Sequence, residues 1–257
     1  MSKNLGARIS CPHSQLQRKK TINNFLAVAA AKFNITLSEA QLAQFDTYLQ
    51  LLLDWNERIN LTAVRDPHAI QIRHFLDSLS CVLVTGGLNG RSLIDVGTGA
   101  GFPGLPLKIL YPQLQLTLTD SVAKKTKFLE AVVAELELDK VTVLAERAET
   151  LGQQPSHRQQ YDWAAARGVV EMRALAEYLL PLCKIGGHML AQKGDSAERE
   201  TASAQNAFQI LGGGGATIQS VQLPETEMPH YLVVVEKVSE TPTTYPRRPG
   251  MPGKRPL

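Results

Sequence analysis

The chain has 257 residues, 44% hydrophobic and 20% charged, a balance that suits a soluble globular protein with a full core and excludes a disordered or fibrous one. No apolar run is long enough to cross a bilayer and no hydrophobic leader opens the chain; the dispersed Cys11, Cys81 and Cys183 offer neither a disulfide frame nor a zinc site, so a reduced, cytoplasmic protein without a metal is expected. The net charge of +3 is unevenly spread: residues 1–20 and 241–257 hold five and four basic residues and no acid, leaving the body between them acidic, a pattern that points to a polyanionic partner.

Residues 1–20 read as a basic, solvated extension, and residues 21–90 as a helical region. Ile22, Phe25, Leu26 and Ala29 recur at helical spacing, and Ser38 with Gln41 forms a capping box ahead of a stripe of Leu42, Phe45, Leu49, Leu52 and Leu53. Asp66-Pro67 is an N-cap with proline at the first helical position, opening a third helix through Ile70, Phe75, Leu79 and Val82. A turn cluster, 85–90, separates this region from an α/β part over residues 91–240. There the pattern predicts strands at 92–96, 115–119, 141–145, 161–166, 187–192, 217–221 and 231–237, with helices near 103–110, 122–137, 170–182 and 195–211. Such alternation implies a mostly parallel seven-stranded sheet with helices on both faces. Gly212–Gly215 follows a helix, so it reads as a helix cap and flexible connection and not as a phosphate cradle.

The most informative segment is Leu93-Ile-Asp-Val-Gly-Thr-Gly-Ala-Gly-Phe-Pro-Gly104, an apolar strand that ends in an acid and breaks into a glycine-rich turn before a helix. Such a corner binds nucleotides in doubly wound sheets, because glycines let the backbone turn sharply and approach a ligand. Two patterns overlap there. Gly99-Ala-Gly101-Phe-Pro-Gly104 fits the dinucleotide fingerprint, with Asp120 at the expected distance, and implies a NAD-dependent oxidoreductase. Asp95-Val-Gly97-Thr-Gly99-Ala-Gly101 fits the acid-x-G-x-G-x-G turn of S-adenosylmethionine-dependent methyltransferases. The preceding acid favours the second, since a cationic sulfonium tolerates a carboxylate that would repel a pyrophosphate.

Further candidates sit at strand ends, where open parallel sheets bind ligands. Asp120, followed by Ser121, suits ribose hydroxyls or a helix cap; Ala148 and Glu149 follow the third strand; Arg167 ends the fourth and Lys193 the fifth, together making a cationic mouth for a phosphate-bearing substrate. In the helical region, Arg73 and His74 are polar positions on an apolar helix, candidates for RNA and substrate contact. The tail, 241–257, mixes Tyr245 and prolines with Arg247, Arg248, Lys254 and Arg255. It reads as an extended clamp for a nucleic-acid strand, against a rival in which Tyr245 and Leu257 anchor it back on the sheet.

Together these segments resemble the RsmG (GidB) family of bacterial methyltransferases, which form 7-methylguanosine in 16S ribosomal RNA of the small subunit. The likeness runs from about residue 34 to 257 and is carried by Leu53-Asp-Trp-Asn-Glu-Arg-Ile-Asn-Leu-Thr-Ala-Val64, Arg73-His-Phe-Leu-Asp-Ser78, Asp95–Gly104, Asp120-Ser121 with its lysines, Arg147-Ala-Glu149, Arg167, Gln192-Lys-Gly194 and the Tyr-Pro-Arg-Arg-Pro-Gly tail. The resemblance implies a Rossmann-like class I methyltransferase fold, S-adenosylmethionine as cofactor, and 16S RNA or an assembling small subunit as partner of a monomeric enzyme. It implies cofactor contacts at Gly97, Phe102, Asp120, Ala148, Glu149 and Arg167. The glycine-turn reading adds Asp95, Gly99 and Gly101, and Ser121 joins Asp120. Gly168 stands where the family pattern has alanine, and residues 1–20 have no counterpart in it. Guanine N7 carries a lone pair and no proton, so no general base is expected. A non-catalytic RNA-binding protein with a vestigial cofactor site is the remaining alternative.

Overall fold

A computed structural model describes residues 25–168 and 170–257; the basic segment 1–20 lies outside the described residues. Helix α1 (residues 25–31) leads into α2 (Glu39–Asn56). The capping box forms as expected: Gln41 N–H donates to Ser38 Oγ at 3.2 Å and Ser38 N–H to Gln41 Oε1 at 2.9 Å. Phe45, Tyr48, Leu49 and Leu52 make the buried stripe of α2. Asp66 caps α3 (Pro67–Ile70), accepting from Ala69 N–H at 2.7 Å. The third helix is not one regular element. It runs from α3 through a π-helical turn, Gln71–Leu76, into α4 (Asp77–Leu79), and a break precedes α5 (Val82–Thr85). The wider turn lets Gln71, Ile72, Phe75 and Leu76 all be buried while Arg73 stays exposed, a departure from regular spacing that periodicity does not reveal.

From there strands and helices alternate: β1 (Ser92–Val96), α6 (Gly104–Leu110), β2 (Gln115–Thr119), α7 (Ala123–Glu135), β3 (Val141–Leu144), α8 (Ala148–Leu151), β4 (Tyr161–Arg167), α9 (Met172–Leu179) and β5 (Cys183–Lys193). The chain continues through α10 (Ala197–Ser203), α11 (Gln205–Ile210), β6 (Gly213–Val221) and β7 (His230–Lys237) to α12 (Met251–Lys254). The sheet order is β3-β2-β1-β4-β5-β7-β6, parallel except that β7 is antiparallel to both its neighbours. Strand order reverses between β1 and β4, which opens the ligand crevice above their carboxyl ends. Both faces are covered. Leu93 of β1 joins one apolar cluster, with Phe45 of α2 and Phe128 of α7; the next residue, Ile94, joins the other, with Leu175 of α9 and Phe208 of α11.

Three expectations are corrected. The helix expected over 195–211 is two, joined at Ala204. Only Gly212, at φ +82°, is a turn residue; Gly213–Gly215 lie in β6, where a Cβ on Gly213 would meet Val235 Cγ1 at 2.9 Å. The tail is not an extended strand held away from the body. Arg158 donates to the carbonyls of Thr241 and Tyr245, at 2.6 and 2.7 Å, and Tyr245 and Leu257 pack against the second cluster. Arg247 Nη2 reaches Glu177 Oε2 at 2.6 Å, and its backbone N–H donates to Glu177 Oε1 at 2.7 Å. Glu177 is fully buried, so Arg247 is its counter-ion, whereas Arg248, Lys254 and Arg255 are exposed.

Candidate active site

The turn after β1 is built from both ends of its glycine run. Gly97, Gly99 and Gly101 all take positive φ (65°, 61° and 100°), a region costly for residues with a Cβ. They serve different ends. A Cβ on Gly101 would stand 2.4 Å from Leu105 Cδ1 and 2.7 Å from the Tyr48 hydroxyl, and one on Gly104 2.6 Å from Leu118 Cδ2, so these two glycines let α6 pack against α2 and β2. A Cβ on Gly99 meets nothing nearer than Gly97 O at 4.0 Å; that glycine faces open space. Tyr48, buried in the α2 stripe, donates its hydroxyl to the carbonyl of Ala100 and pins the turn. A wholly buried tyrosine needs such a partner, but nothing local in the sequence points to which one.

Asp95 does not face the crevice as expected. Its side chain is buried, and Oδ2 accepts from Thr98 Oγ1 at 2.7 Å and Gly104 N–H at 2.8 Å, tying the two ends of the turn together. Burial pushes its carboxyl up to about 6, against the pull of those two hydrogen bonds. The acid therefore shapes the turn from beneath.

Beside the turn, the ends of β1, β2 and β3 enclose a hollow of about 150 Å³. Gly97, Asp120, Ser121, Ala148 and Glu149 all line it. Asp120 Oδ2 accepts from Gly99 N–H at 3.1 Å and Oδ1 from Val122 N–H at 2.9 Å, so both readings of this residue have a physical basis: it holds the start of α7, and its carboxylate edges the hollow. Glu149 Oε1 accepts from Gly250 N–H at 2.8 Å, bringing the folded tail to the same rim. An open glycine edge, a carboxylate with lone pairs to spare for vicinal hydroxyls, and the apolar Ala148 and Val96 fit the nucleoside half of S-adenosylmethionine.

Across the switch point lies a larger cleft of about 470 Å³. Arg167, at the end of β4, is its hub: Nη1 donates to Asp77 Oδ2 at 3.2 Å and to Arg73 O at 3.0 Å, and the guanidinium lies 4.8 Å from the Phe102 ring centroid. Phe102 itself is buried between Tyr48 and His74 and lines neither cavity; it packs behind Arg167 and His74, which line the cleft. His74 Nδ1 donates to Arg73 O at 2.9 Å, which leaves Nε2 to accept from Thr62 Oγ1 at 2.7 Å. Burial, assisted by Arg167, lowers its pKa to about 4, so the ring is neutral at pH 7. Lys193 lines the cleft but is not the free cation expected: its ammonium donates to Glu200 Oε2 at 2.8 Å and to Val170 O. Asp77, present in the Arg73–Ser78 segment but given no role from the sequence, and His230, which the sequence did not single out, complete the cleft, with His230 Nδ1 3.3 Å from Asp77 Oδ1.

The family model for GidB, rRNA small subunit methyltransferase G, matches residues 41–228. The chain belongs to that family. Relatives span the same length: a ribosomal RNA small subunit methyltransferase G of Roseiflexus castenholzii is 49% identical over 228 residues, covering 89% of this chain and 97% of that one. Its counterpart from Alkaliphilus metalliredigens is 45% identical over 221 residues, 86% and 92% of the two chains. Among solved structures, a SAM-dependent O-methyltransferase from Thermotoga maritima superposes with a TM-score of 0.51 at 15% identity, over 74% of this chain and 72% of that one. A geranyl diphosphate methyltransferase in complex with SAM gives 0.51 at 11% identity, over 64% and 85%. At these identities the structures establish the shared Rossmann-like fold alone; membership of the methyltransferase G family leaves the dehydrogenase alternative without support.

Proposed function

We propose that the protein transfers a methyl group from S-adenosylmethionine to N7 of a guanosine in 16S ribosomal RNA of the small ribosomal subunit. The observation that carries this reading, beyond family membership, is the adjacency of the two cavities. The hollow beside the glycine turn and the arginine-centred cleft are linked through Lys193, which lines the cleft and donates to the carbonyl of Val170, a residue lining the hollow.

The backbone of Gly97 and Gly99, the Asp120 carboxylate, Ser121 and the Ala148–Glu149 turn would hold the cofactor. When bound it supplies a methyl group on a positively charged sulfur, and guanine N7 offers a lone pair with no proton to remove. The chain then has to align, hold and keep water out, which can supply much of a rate enhancement. His74 fits that division of labour. Both ring nitrogens are engaged and the ring is neutral, so it keeps Phe102 in place. Arg73 on the cleft rim and the exposed Arg248, Lys254 and Arg255 are assigned to RNA phosphates; Arg247 is not, because its charge is spent on Glu177.

The test is to incubate the protein with S-adenosylmethionine and small-subunit RNA, naked or in subunits, from a strain lacking the modification, and to analyse the nucleosides by mass spectrometry. The expected product is 7-methylguanosine. Tight cofactor binding with no methylated nucleoside from either substrate would leave the RNA-binding alternative standing.

A further inference from the structure

We infer that Asp77 reads the base in the cleft, its carboxylate accepting from the N1–H and 2-amino groups of the target guanine. The inference rests on the methyltransferase reading above and deepens it, from RNA to one base edge.

Arg73 and Arg167 bring positive charge to the cleft, while Lys193 is paired with Glu200 and His74 is neutral; among the described residues Asp77 is the one carboxylate lining it. An acid placed where a polyanion must approach works against binding unless it has a specific partner. Its surroundings hold it still. The Asp77 carbonyl accepts from Gln192 Nε2 at 2.9 Å and from Ser80 Oγ at 2.6 Å, and the π-helical turn before α4 aims this segment at the end of β4. The carboxylate itself is not saturated. Arg167 and His230 approach one oxygen each, at 3.2 and 3.3 Å, and an ionised carboxylate offers about four lone-pair sites.

The chemistry selects the base. Both purines present N7, so a site that methylates it must tell guanine from adenine elsewhere. Guanine's Watson–Crick edge shows two adjacent donors, N1–H and the 2-amino group, which match a carboxylate. Adenine shows an N1 lone pair there, which a carboxylate repels. Arg167, hydrogen-bonded to Asp77, fixes the carboxylate's orientation. The exposed side chain of Met228, on the same cleft wall, offers an apolar surface for the face of the base.

The competing account is that Asp77 only neutralises Arg167. Inosine separates the two, because it differs from guanosine by the 2-amino group alone and leaves N7 intact. Once the position methylated by the wild-type protein is mapped by mass spectrometry, RNA is ligated with guanosine or inosine at that position. The wild type is expected to prefer guanosine by at least about tenfold in kcat/KM, the scale of one base-edge contact. In Asp77→Asn, whose amide presents one acceptor and one donor, the preference is expected to fall below about threefold, with S-adenosylmethionine affinity unchanged by calorimetry. An unchanged preference in Asp77→Asn, at whatever rate, would overturn the inference. Should the variant not fold, the wild-type ratio decides: a preference under about threefold overturns it as well. A wild type that gives no 7-methylguanosine from guanosine RNA removes the underlying reading too, whereas full activity without discrimination removes this inference alone.

Discussion

The hollow at the ends of β1–β3 and the cleft at the ends of β4 and β5 lie side by side, yet they are assembled on opposite plans. The hollow draws mainly on consecutive strand–helix turns between Val96 and Glu149, closed by Val170 and Tyr178, and sets the backbone of the glycine turn beside the carboxylates of Asp120, Glu146 and Glu149. The cleft gathers side chains from Arg73, Asp77, Arg167, Gln192 and His230, supplied by segments far apart in the chain. A site made of consecutive turns can be written in short motifs. A site made of distant side chains is written only in the topology that unites them.

The largest expected effect would break the apparent self-sufficiency of the hollow. Arg247→Ala leaves the buried Glu177 carboxylate without its partner, an uncompensated charge that costs about 3–5 kcal/mol in the interior. Denaturant unfolding should show that loss, and calorimetry should show weaker S-adenosylmethionine binding, because Gly250 then loses its fixed place against Glu149. Reduced RNA affinity with unchanged stability would instead restore Arg247 to the RNA-binding set. Asp120→Ala comes next. Removing a charged acceptor from the hollow's edge should weaken cofactor binding by about 1.5–3 kcal/mol, while Asp77→Asn across the switch point leaves that affinity alone. Equal effects from the two would merge the sites into one.

Glycine substitutions sharpen the contrast within the turn itself. Gly104→Val forces a side chain against Leu118 and should cost about 1–3 kcal/mol in stability. Gly99→Val points into open space, so beyond the strain of its positive φ it should chiefly abolish cofactor binding. If Gly99→Val binds the cofactor normally, the hollow does not take its ligand on the backbone.

The smallest effect is a tilt with pH. Asp95 has its pKa raised to about 6, so it holds a proton in the folded state that the unfolded chain has already lost; its contribution to stability falls as pH rises from about 4 to 6. His74, lowered to about 4, does the reverse, and its contribution is lost as pH falls from about 6.5 to 4. The two oppose one another in the wild type. Thermal melts across that window should slope downward with rising pH in His74→Asn and upward in Asp95→Asn; parallel profiles for both variants would disprove the assignment.

The fold was largely legible because each strand of the parallel sheet is an apolar run with turn residues at its end, a local signal. The glycine turn and Asp120 were legible for the same reason. Asp95 was read for its charge, yet what it does depends on burial, which a motif does not carry. Lys193 looked like a free cation because Glu200 stands one helical turn into α10, a pairing set by where that helix starts. The π-helical turn, the Tyr48 pin on the glycine turn and the return of the tail left no periodic trace, since each is decided by tertiary contact.

The partnership of Glu177 and Arg247 also orders events in time. A chain emerging from the ribosome at about 5–20 residues per second delivers α9, with its acid, several seconds before the arginine that lies 70 positions later. During that interval the acid has no counter-ion, and closing the sheet over it would strand a charge in the interior. The second apolar cluster is therefore expected to reach its full stability only when the last segment of the chain comes within reach.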